Sequence, residues 1–300
     1  MKRRTGQRVL LTGGSGFIGR NFQENPVFGA FELLAPRHAE LELADEDAVR
    51  RYLVDHRVDA VVHSAVKPGH RAAKDASQLL LANLRMFHNL ARNKDRLECL
   101  VVLGSGAIYD NRFYGPKRTE DSCDDHVPTD EHGFTKYAIE KFIEGKPGIF
   151  DLRVFGIYGK YEDYQIRFIS NMICKALAGL PLTMKQDRRF DYLFVDDLAP
   201  IVVRAIEEGL PWTSVNVTPD SSVLLSDIAR LVLEVVGRTD LPLVIAHPGE
   251  GLEYSGDNSR LRQWMPDLKL TILRAGISQL AHWYRANWNL VDIVKLMVDP

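Results

Sequence analysis

Thr12-Gly13-Gly14-Ser15-Gly16-Phe17-Ile18-Gly19 carries glycines at 13, 16 and 19 and also at 14, 16 and 19, so two phosphate-turn spacings overlap. Glycine lets a backbone turn sharply and come close to a pyrophosphate, whose charge is met by the free N–H groups and positive dipole end of the helix that follows. The context fits that chemistry, because a β-branched and apolar run, Arg8 to Thr12, precedes the turn and helical periodicity runs from Phe17 to about Glu24. Gly13, Ser15, Gly16, Phe17, Ile18 and Gly19 are therefore candidate dinucleotide ligands. A carboxylate at the end of the second strand would hold the ribose hydroxyls of NAD, but Ala35-Pro36-Arg37-His38 stands there. An arginine in that place pairs with a 2′-phosphate, so Arg37 favours NADP(H), with NAD(H) the alternative.

The elements that must hold this turn repeat along the chain. Strands are expected near Glu32 to Ala35, Val58 to His63 and Glu98 to Leu103, with helices from Asp45 to His56 and Asp75 to Arg92 between them. Strands alternating with helices imply a parallel sheet covered on both faces. The nearly unbroken apolar runs Val58 to Val62 and Cys99 to Leu103 agree, since such strands are buried on both sides. Beyond about Leu180 the units shorten: Asp191 to Val195, helix Asp196 to Glu208, strand Ser214 to Val217, helix Leu225 to Val236 and a last helix from Arg274. The fold class expected is α/β, a Rossmann-type doubly wound sheet with a smaller C-terminal α/β substrate lobe. Residues 1–180 would form the dinucleotide domain, with later strands returning at about 190–218, and residues 181–300 mainly the substrate lobe.

Composition narrows the classes of partner. With 38 Lys and Arg against 40 Asp and Glu the net charge is −2, which argues against nucleic acid. Hydrophobic residues make up 45% and charged residues 26%, as in a packed globular chain. No apolar run nears the roughly 20 residues that cross a bilayer. Met1-Lys2-Arg3-Arg4 is basic but leads into a strand, without the apolar stretch of a secretory signal, so a cytoplasmic protein is expected. Cys99, Cys123 and Cys174 are far apart and suggest reduced thiols, with neither a disulfide framework nor a metal cage.

Several segments, in order along the chain, resemble the extended short-chain dehydrogenase/reductase superfamily, in its nucleotide-sugar epimerase, dehydratase and reductase branch. Thr12 to Gly19 is similar to that family's T-G-x-x-G-x-x-G. Leu41-Glu42-Leu43 followed by Asp45 resembles the element beside the adenine, and His63-Ser64-Ala65-Val66-Lys67 resembles the H-x-A-A segment along the cofactor. Gly104-Ser105-Gly106-Ala107-Ile108-Tyr109 is similar to the strand end that carries a catalytic serine. Leu152 to Gly159, Arg188 to Leu198 and Asp257-Asn258-Ser259-Arg260 match further family strings. The resemblance implies an NAD(P)-dependent enzyme acting on a nucleotide-diphosphate sugar, a keto-deoxy-sugar reductase first and an epimerase or dehydratase second, working as a homodimer. It implies cofactor contacts at Glu42, Leu43, Ser64, Ala65, Val66 and Lys136, and substrate contacts at Lys67, Ser105, Gly106, Tyr109, Arg167, Arg189 and Arg260. A cofactor-sensing regulator on the same fold is the reading from another class.

The family's catalytic string is Y-G-x-[ST]-K, in which the tyrosine moves a proton and the lysine lowers its pKa and holds the ribose. Here the string is His132-Gly133-Phe134-Thr135-Lys136, with histidine in the tyrosine's place. The catalytic set that the resemblance implies is Ser105, His132 and Lys136. An imidazole titrates near pH 6.5 and a neighbouring lysine favours its neutral form, so His132 can act as acid or base, orient the substrate while Ser105 or Tyr109 relays the proton, or mark a site without hydride chemistry. Tyr137 and Lys141 also stand four apart on one helical face and form the alternative pair.

Each candidate has a structural reading beside the functional one. Ser105 could cap a turn, Tyr109 could pack in the core, and His63 at a buried strand end reads as a structural histidine. Asp124-Asp125-His126 has a ligand-like composition but lies in a polar loop, and no metal is expected. Trp283, Tyr284 and Trp288 read as core closure.

Overall fold

The structure is a computed structural model that describes residues 6–68 and 77–297. Met1 to Arg4 and the expected helix start at Asp75 lie outside the described residues. The first half runs β1 (Arg8–Thr12), α1 (Phe17–Glu24), β2 (Glu32–Leu34), α2 (Glu46–Asp55), β3 (Ala60–His63), α3 (Leu79–Ala91), β4 (Cys99–Ser105), α4 (Glu131–Ile143) and β5 (Ile149–Val154). Then come β6 (Gly156–Tyr158), α5 (Phe168–Ala178), β7 (Leu182–Asp187), β8 (Arg189–Phe190), β9 (Tyr192–Phe194), α6 (Val195–Glu208) and β10 (Ser214–Val217). The chain closes with β11 (Val223–Leu224), α7 (Leu225–Val236), β12 (Leu243–Glu250), α8 (Ser259–Trp264), α9 (Leu273–Ala286) and α10 (Ile293–Leu296).

Six parallel strands form the central sheet in the order β10-β5-β4-β3-β1-β2. The strands are apolar on both faces because both are covered. Val9, Leu11, Ala60, Val62, Val101 and Leu152 pack with Phe22 of α1 and Leu198 and Val202 of α6. Leu10, Val61, Leu100 and Val102 pack with Val49 and Leu53 of α2, Phe87 and Leu90 of α3, and Ile139 and Ile143 of α4. This is the Rossmann-type doubly wound sheet. From β1 the chain steps to β2 on one side and to β3 on the other, so the strand order reverses between β1 and β3, where a crevice opens at their C-terminal ends.

Helix ends are fixed locally. Asp45 accepts a hydrogen bond from the Ala48 N–H at 2.9 Å and starts α2, while Asp130 accepts from the Gly133 N–H at 2.8 Å and starts α4. Such caps contribute about 1 kcal/mol each. A second core gathers around Ile173, Val232, Ile277 and Tyr284 from α5, α7 and α9, flanked by the parallel pair β7 and β12. Tyr284 is buried there and Trp283 packs against the same cluster. Neither α5 nor the β7–β12 pair is expected from the sequence pattern. Among the described residues no helix is long and apolar enough to cross a membrane.

Candidate functional site

The glycine turn lies at the crevice and is too tight for any side chain at two of its positions. Gly13 has φ +72°, and a Cβ there would stand 2.8 Å from the Ala65 nitrogen; a Cβ on Gly19 would stand 2.3 Å from the Gly13 carbonyl oxygen. The turn thus seats α1 directly on β1 and brings its backbone against the loop after β3. No side chain caps α1, so the N–H groups at its start are left for a ligand. Thr12 Oγ1 accepts from the N–H groups of Ser64 and Ala65 at 3.2 Å and bonds His63 Nδ1 at 2.9 Å, which ties the two strand ends together. His63 is buried, and burial with the Lys136 cation pushes its pKa down to about 3, so it is a neutral structural partner of Thr12.

From the turn a groove of about 760 Å³ runs past Ser15, Gly16, Phe17 and Ile18 to Glu42, Leu43 and the Ser64 to Lys67 loop. Gly19 is buried and does not line it. The elongated shape, the glycine cradle and the free helix amides fit a dinucleotide, with the pyrophosphate at the turn. Arg37 lies outside the groove's lining: its side chain is 80% exposed and paired with Glu40 at 3.2 Å. His38 and Glu42 do line the groove and pair with each other at 3.1 Å.

The groove opens into a smaller pocket of about 200 Å³, and the two share Ile18, Ser64, Ala65, Val66, Ile157 and Arg167. Ser105, His132 and Lys136 line this pocket together. Ser105 ends β4 and its Oγ accepts from the Ala107 N–H at 3.1 Å, so it both caps a turn and faces the cleft. Lys136 Nζ donates to the Leu103 carbonyl at 3.0 Å; burial lowers its pKa and the Asp151 carboxylate opposes that. His132 is exposed to solvent and lines the pocket. Partial desolvation of its ring, then the Lys136 cation and Arg167, push its pKa down to about 4 against the opposing pull of Asp130. The imidazole is neutral at neutral pH.

The other candidates are placed elsewhere. Lys141 pairs with Asp124 at 3.0 Å, and Tyr137 bonds the same carboxylate, so this pair faces the loop around Asp124 and not the cleft. Asp124 is thus engaged by Lys141, while His126 stacks on Phe113 with centroids 3.8 Å apart. Tyr109 is buried, donating to Asn216 Oδ1 at 2.6 Å and accepting from Arg153 at 2.8 Å; its hydroxyl is used up in the core. Gly106 is buried against Phe155 and Tyr254. Arg189 donates to the Ser222 carbonyl at 3.5 Å and does not line the cleft. Arg260 pairs with Asp121 at 2.6 Å and lines a separate cavity beside the first residues of β5 and β10, at the other end of the strands. Of the three arginines, Arg167 alone lines the cleft.

Asn83 is a residue that sequence reasoning missed. It lines the pocket from α3, accepts from the Lys67 N–H at 2.7 Å and donates to the Lys67 carbonyl at 3.2 Å, clamping that loop. An asparagine inside the apolar run Leu79-Leu80-Leu81-Ala82-Asn83-Leu84 was the available signal.

The family described as "NAD dependent epimerase/dehydratase family" matches residues 9–218 of the chain. The chain belongs to that family. It is 27% identical to a dTDP-4-dehydro-6-deoxy-D-allose reductase from a Streptomyces species, over 93% of this chain and 97% of that protein. It is 24% identical to a GDP-L-fucose synthase from Azorhizobium caulinodans, over 77% of this chain and 81% of the relative. Among solved structures, the GDP-mannoheptose C4 reductase from Campylobacter jejuni with NADP bound superposes with a TM-score of 0.79 at 19% identity, covering 94% of this chain and 99% of the other. That likeness shows the shared fold. Family membership agrees with the groove and with the pocket that continues it.

Proposed function

We propose that this protein is an NADP(H)-dependent reductase of a nucleotide-linked keto-deoxy sugar. The observation that carries the reading is the continuity of the dinucleotide groove with the pocket holding Ser105, His132 and Lys136. The sequence relatives named above support the substrate class, being a keto-sugar-nucleotide reductase and a GDP-sugar synthase. The preference for NADP(H) over NAD(H) rests on the absence of a carboxylate at Ala35 and Pro36, on the proximity of Arg37 in sequence, and on the NADP in the solved reductase.

The glycine turn and the Ser64 to Lys67 loop would hold the dinucleotide, and Lys136 its nicotinamide ribose; when bound, NADPH supplies hydride to the keto carbon. Ser105 donates a hydrogen bond to the substrate oxygen. His132, neutral at rest, faces that oxygen between two cations, Lys136 and Arg167. As negative charge develops on the oxygen, the neutral imidazole passes its one N–H proton to it while its other ring nitrogen takes a proton from solvent, to which His132 is exposed, so the ring is neutral before and after. Arg167 provides a guanidinium for the substrate diphosphate. Contacts to the distant nucleotide orient the sugar, so truncated sugars should react poorly.

The proposal extends to organisation. Residues 1–180, with strands returning at 190–218, serve the dinucleotide, and residues 181–300 mainly the substrate. Free, buried cysteines support a reducing, cytoplasmic setting. Leu81 on α3 and Phe134 on α4, 53% and 38% exposed, support a homodimer through those helices. The test is NADPH oxidation across a panel of nucleotide-linked 4-keto-6-deoxy sugars, with a His132→Ala variant alongside. Turnover that falls at least about a hundredfold in the variant is expected, the usual weight of a general acid. Tight dinucleotide binding with no turnover of any keto sugar would instead indicate epimerisation, dehydration or sensing.

A further inference from the structure

Tyr161, in the loop between β6 and α5, has φ +74°, a left-handed backbone that residues other than glycine rarely adopt. Such a conformation persists only where the surroundings over-determine it. Here α1 does so. The Tyr161 hydroxyl donates to Glu24 Oε1 at 2.6 Å, and the ammonium of the preceding Lys160 pairs with Glu24 Oε2. The Arg20 guanidinium lies over the tyrosine ring, 3.6 Å from its centroid, and Trp283 of α9 meets the same ring edge-on at 5.2 Å. The buried Asn21 donates to the Lys160 carbonyl at 2.9 Å and to the Phe17 carbonyl at 2.8 Å. Arg20, Asn21 and Glu24 all stand on α1, so the helix that begins at the glycine turn grips this loop by its backbone, its charge and its aromatic ring.

The far end of the loop is Arg167, which lines both the groove and the pocket. Between Tyr161 and Arg167 the chain is a short hydrogen-bonded piece. The Asp163 carbonyl accepts from the Ile166 and Arg167 N–H groups at 3.2 and 2.9 Å, Asp163 Oδ1 accepts from the Gln165 N–H at 2.9 Å, and the buried Glu162 is anchored to Ser170 of α5. We infer that Tyr161 is a positioning residue: its bond to Glu24 fixes the loop on α1 and so sets Arg167 at the cleft to meet the substrate diphosphate. This rests on the reading of Arg167 as the ligand of that diphosphate. A guanidinium ordered before the ligand arrives binds it more tightly, because the ordering is complete on folding. Lys160 and then Tyr161 hold the Glu24 carboxyl below its usual pKa, so it remains a charged acceptor at neutral pH. The two ends of α1 thus serve two ligands, its first amides the dinucleotide and its last turn the loop that receives the sugar nucleotide.

The test compares wild type, Tyr161→Phe, Arg167→Ala and the double variant, using the nucleotide-linked keto sugar turned over best in the panel. Phenylalanine keeps the ring against Arg20 and Trp283 and removes only the hydroxyl. Tyr161→Phe should raise the KM of the sugar about fivefold, part of what a hydrogen bond to a charged group is worth, with kcat and the affinity for NADPH changing less than about twofold. It should cost nothing further once Arg167 is alanine. An unchanged KM, a fall in kcat in its place, a multiplicative rise in the double variant, or an NADPH affinity that falls as far as the sugar's would each overturn the inference. Should wild type turn over no keto sugar, the functional reading fails, and the same four proteins are titrated with GDP, UDP and dTDP in the presence of NADP. An affinity that falls about fivefold in Tyr161→Phe, and does not fall further when Arg167 is already alanine, would support the positioning by itself. An unchanged affinity, a loss that persists without Arg167, or no binding of any of the three nucleotides would overturn it.

Discussion

Glu162 offers a direct check on how the second lobe is packed. It is 6% exposed, its carboxyl accepts from the Ser170 hydroxyl at the start of α5, and the buried Tyr158 and Tyr284 and the half-buried Tyr192 lie close enough to feel its charge. Burial pushes its pKa up to about 8, against the lowering pull of Ser170 and Arg167. The unfolded chain should titrate near 4.5, so between the two values the native state binds a proton that the unfolded state does not. The sign follows: stability rises as pH falls from about 8 towards 4.5, and the gain is lost as pH rises through the folded pKa. Each unit is worth about 1.4 kcal/mol, so moving from pH 8.5 to pH 6 should add about 2.5 kcal/mol from this one group. Glu162→Gln mimics the protonated form and should remove that increment. Urea unfolding of both proteins at the two pH values gives the comparison, since Asp191 and His63 titrate in both and cancel in the difference. Equal pH dependence in the two proteins would refute a buried, proton-binding Glu162.

Two further substitutions probe the groove. Gly19→Ala would drive a Cβ to 2.3 Å from the Gly13 carbonyl oxygen and 2.6 Å from the Gly14 Cα, both backbone atoms that cannot swing aside. It should destabilise by about 1–3 kcal/mol and weaken dinucleotide binding more than tenfold, measured by thermal unfolding with and without NADP; an unchanged affinity would argue against the turn as the pyrophosphate seat. Arg37→Ala should weaken NADP binding about tenfold and leave NAD binding unchanged, since a charge-assisted bond to a 2′-phosphate contributes about 1.5–3 kcal/mol and Arg37 must first leave Glu40. Equal effects on both dinucleotides in a calorimetric titration would remove Arg37 from the site.

The parts of the fold that were legible in the sequence are those where one physical demand acts alone. β1, β3 and β4 read as continuous apolar runs because helices cover both faces, and Asp45 marks its helix because the cap is made within four residues. α5 was hidden for the opposite reason. Ile169 to Ala176 are all buried, so no amphipathic period survives. Its polar residues are satisfied by the segments that flank it, seven or eight residues away: Ser170 bonds Glu162, Asn171 donates to the Tyr164 carbonyl at 3.0 Å, and Lys175 donates to Thr183 Oγ1 at 2.6 Å. The strand β12 escaped notice because it lies almost wholly at the surface and contains Pro248. The same distinction runs through the site. Ser105, His132 and Lys136 were found through local strings, whereas the pairing of Arg260 with Asp121 and the use of the Tyr109 hydroxyl by Asn216 join distant segments.

One departure from the apolar sheet shows how the cleft keeps a lysine at its floor. On the face covered by α4, β5 buries the charged Asp151 and Arg153, where β1, β3 and β4 bury apolar side chains and, at the ends of β1 and β3, the uncharged Thr12 and His63. Arg153 lies 2.9 Å from Glu140 and 3.5 Å from Asp151, and Glu140 is one helical turn beyond Lys136 on α4. A buried cation without counter-charge costs several kcal/mol and gives up its proton instead. Here the buried Lys136 and Arg153 stand with the buried Asp151 and Glu140, and Asp151 acts on Lys136 against the lowering effect of burial. Asp151 is itself pushed up to about 7 by burial and then by Glu140. Burial lowers the Lys136 pKa while the β5 carboxylate Asp151 opposes that, and burial first and Lys136 second lower the pKa of His132, so both pocket side chains are set by the same packing of α4 on β5.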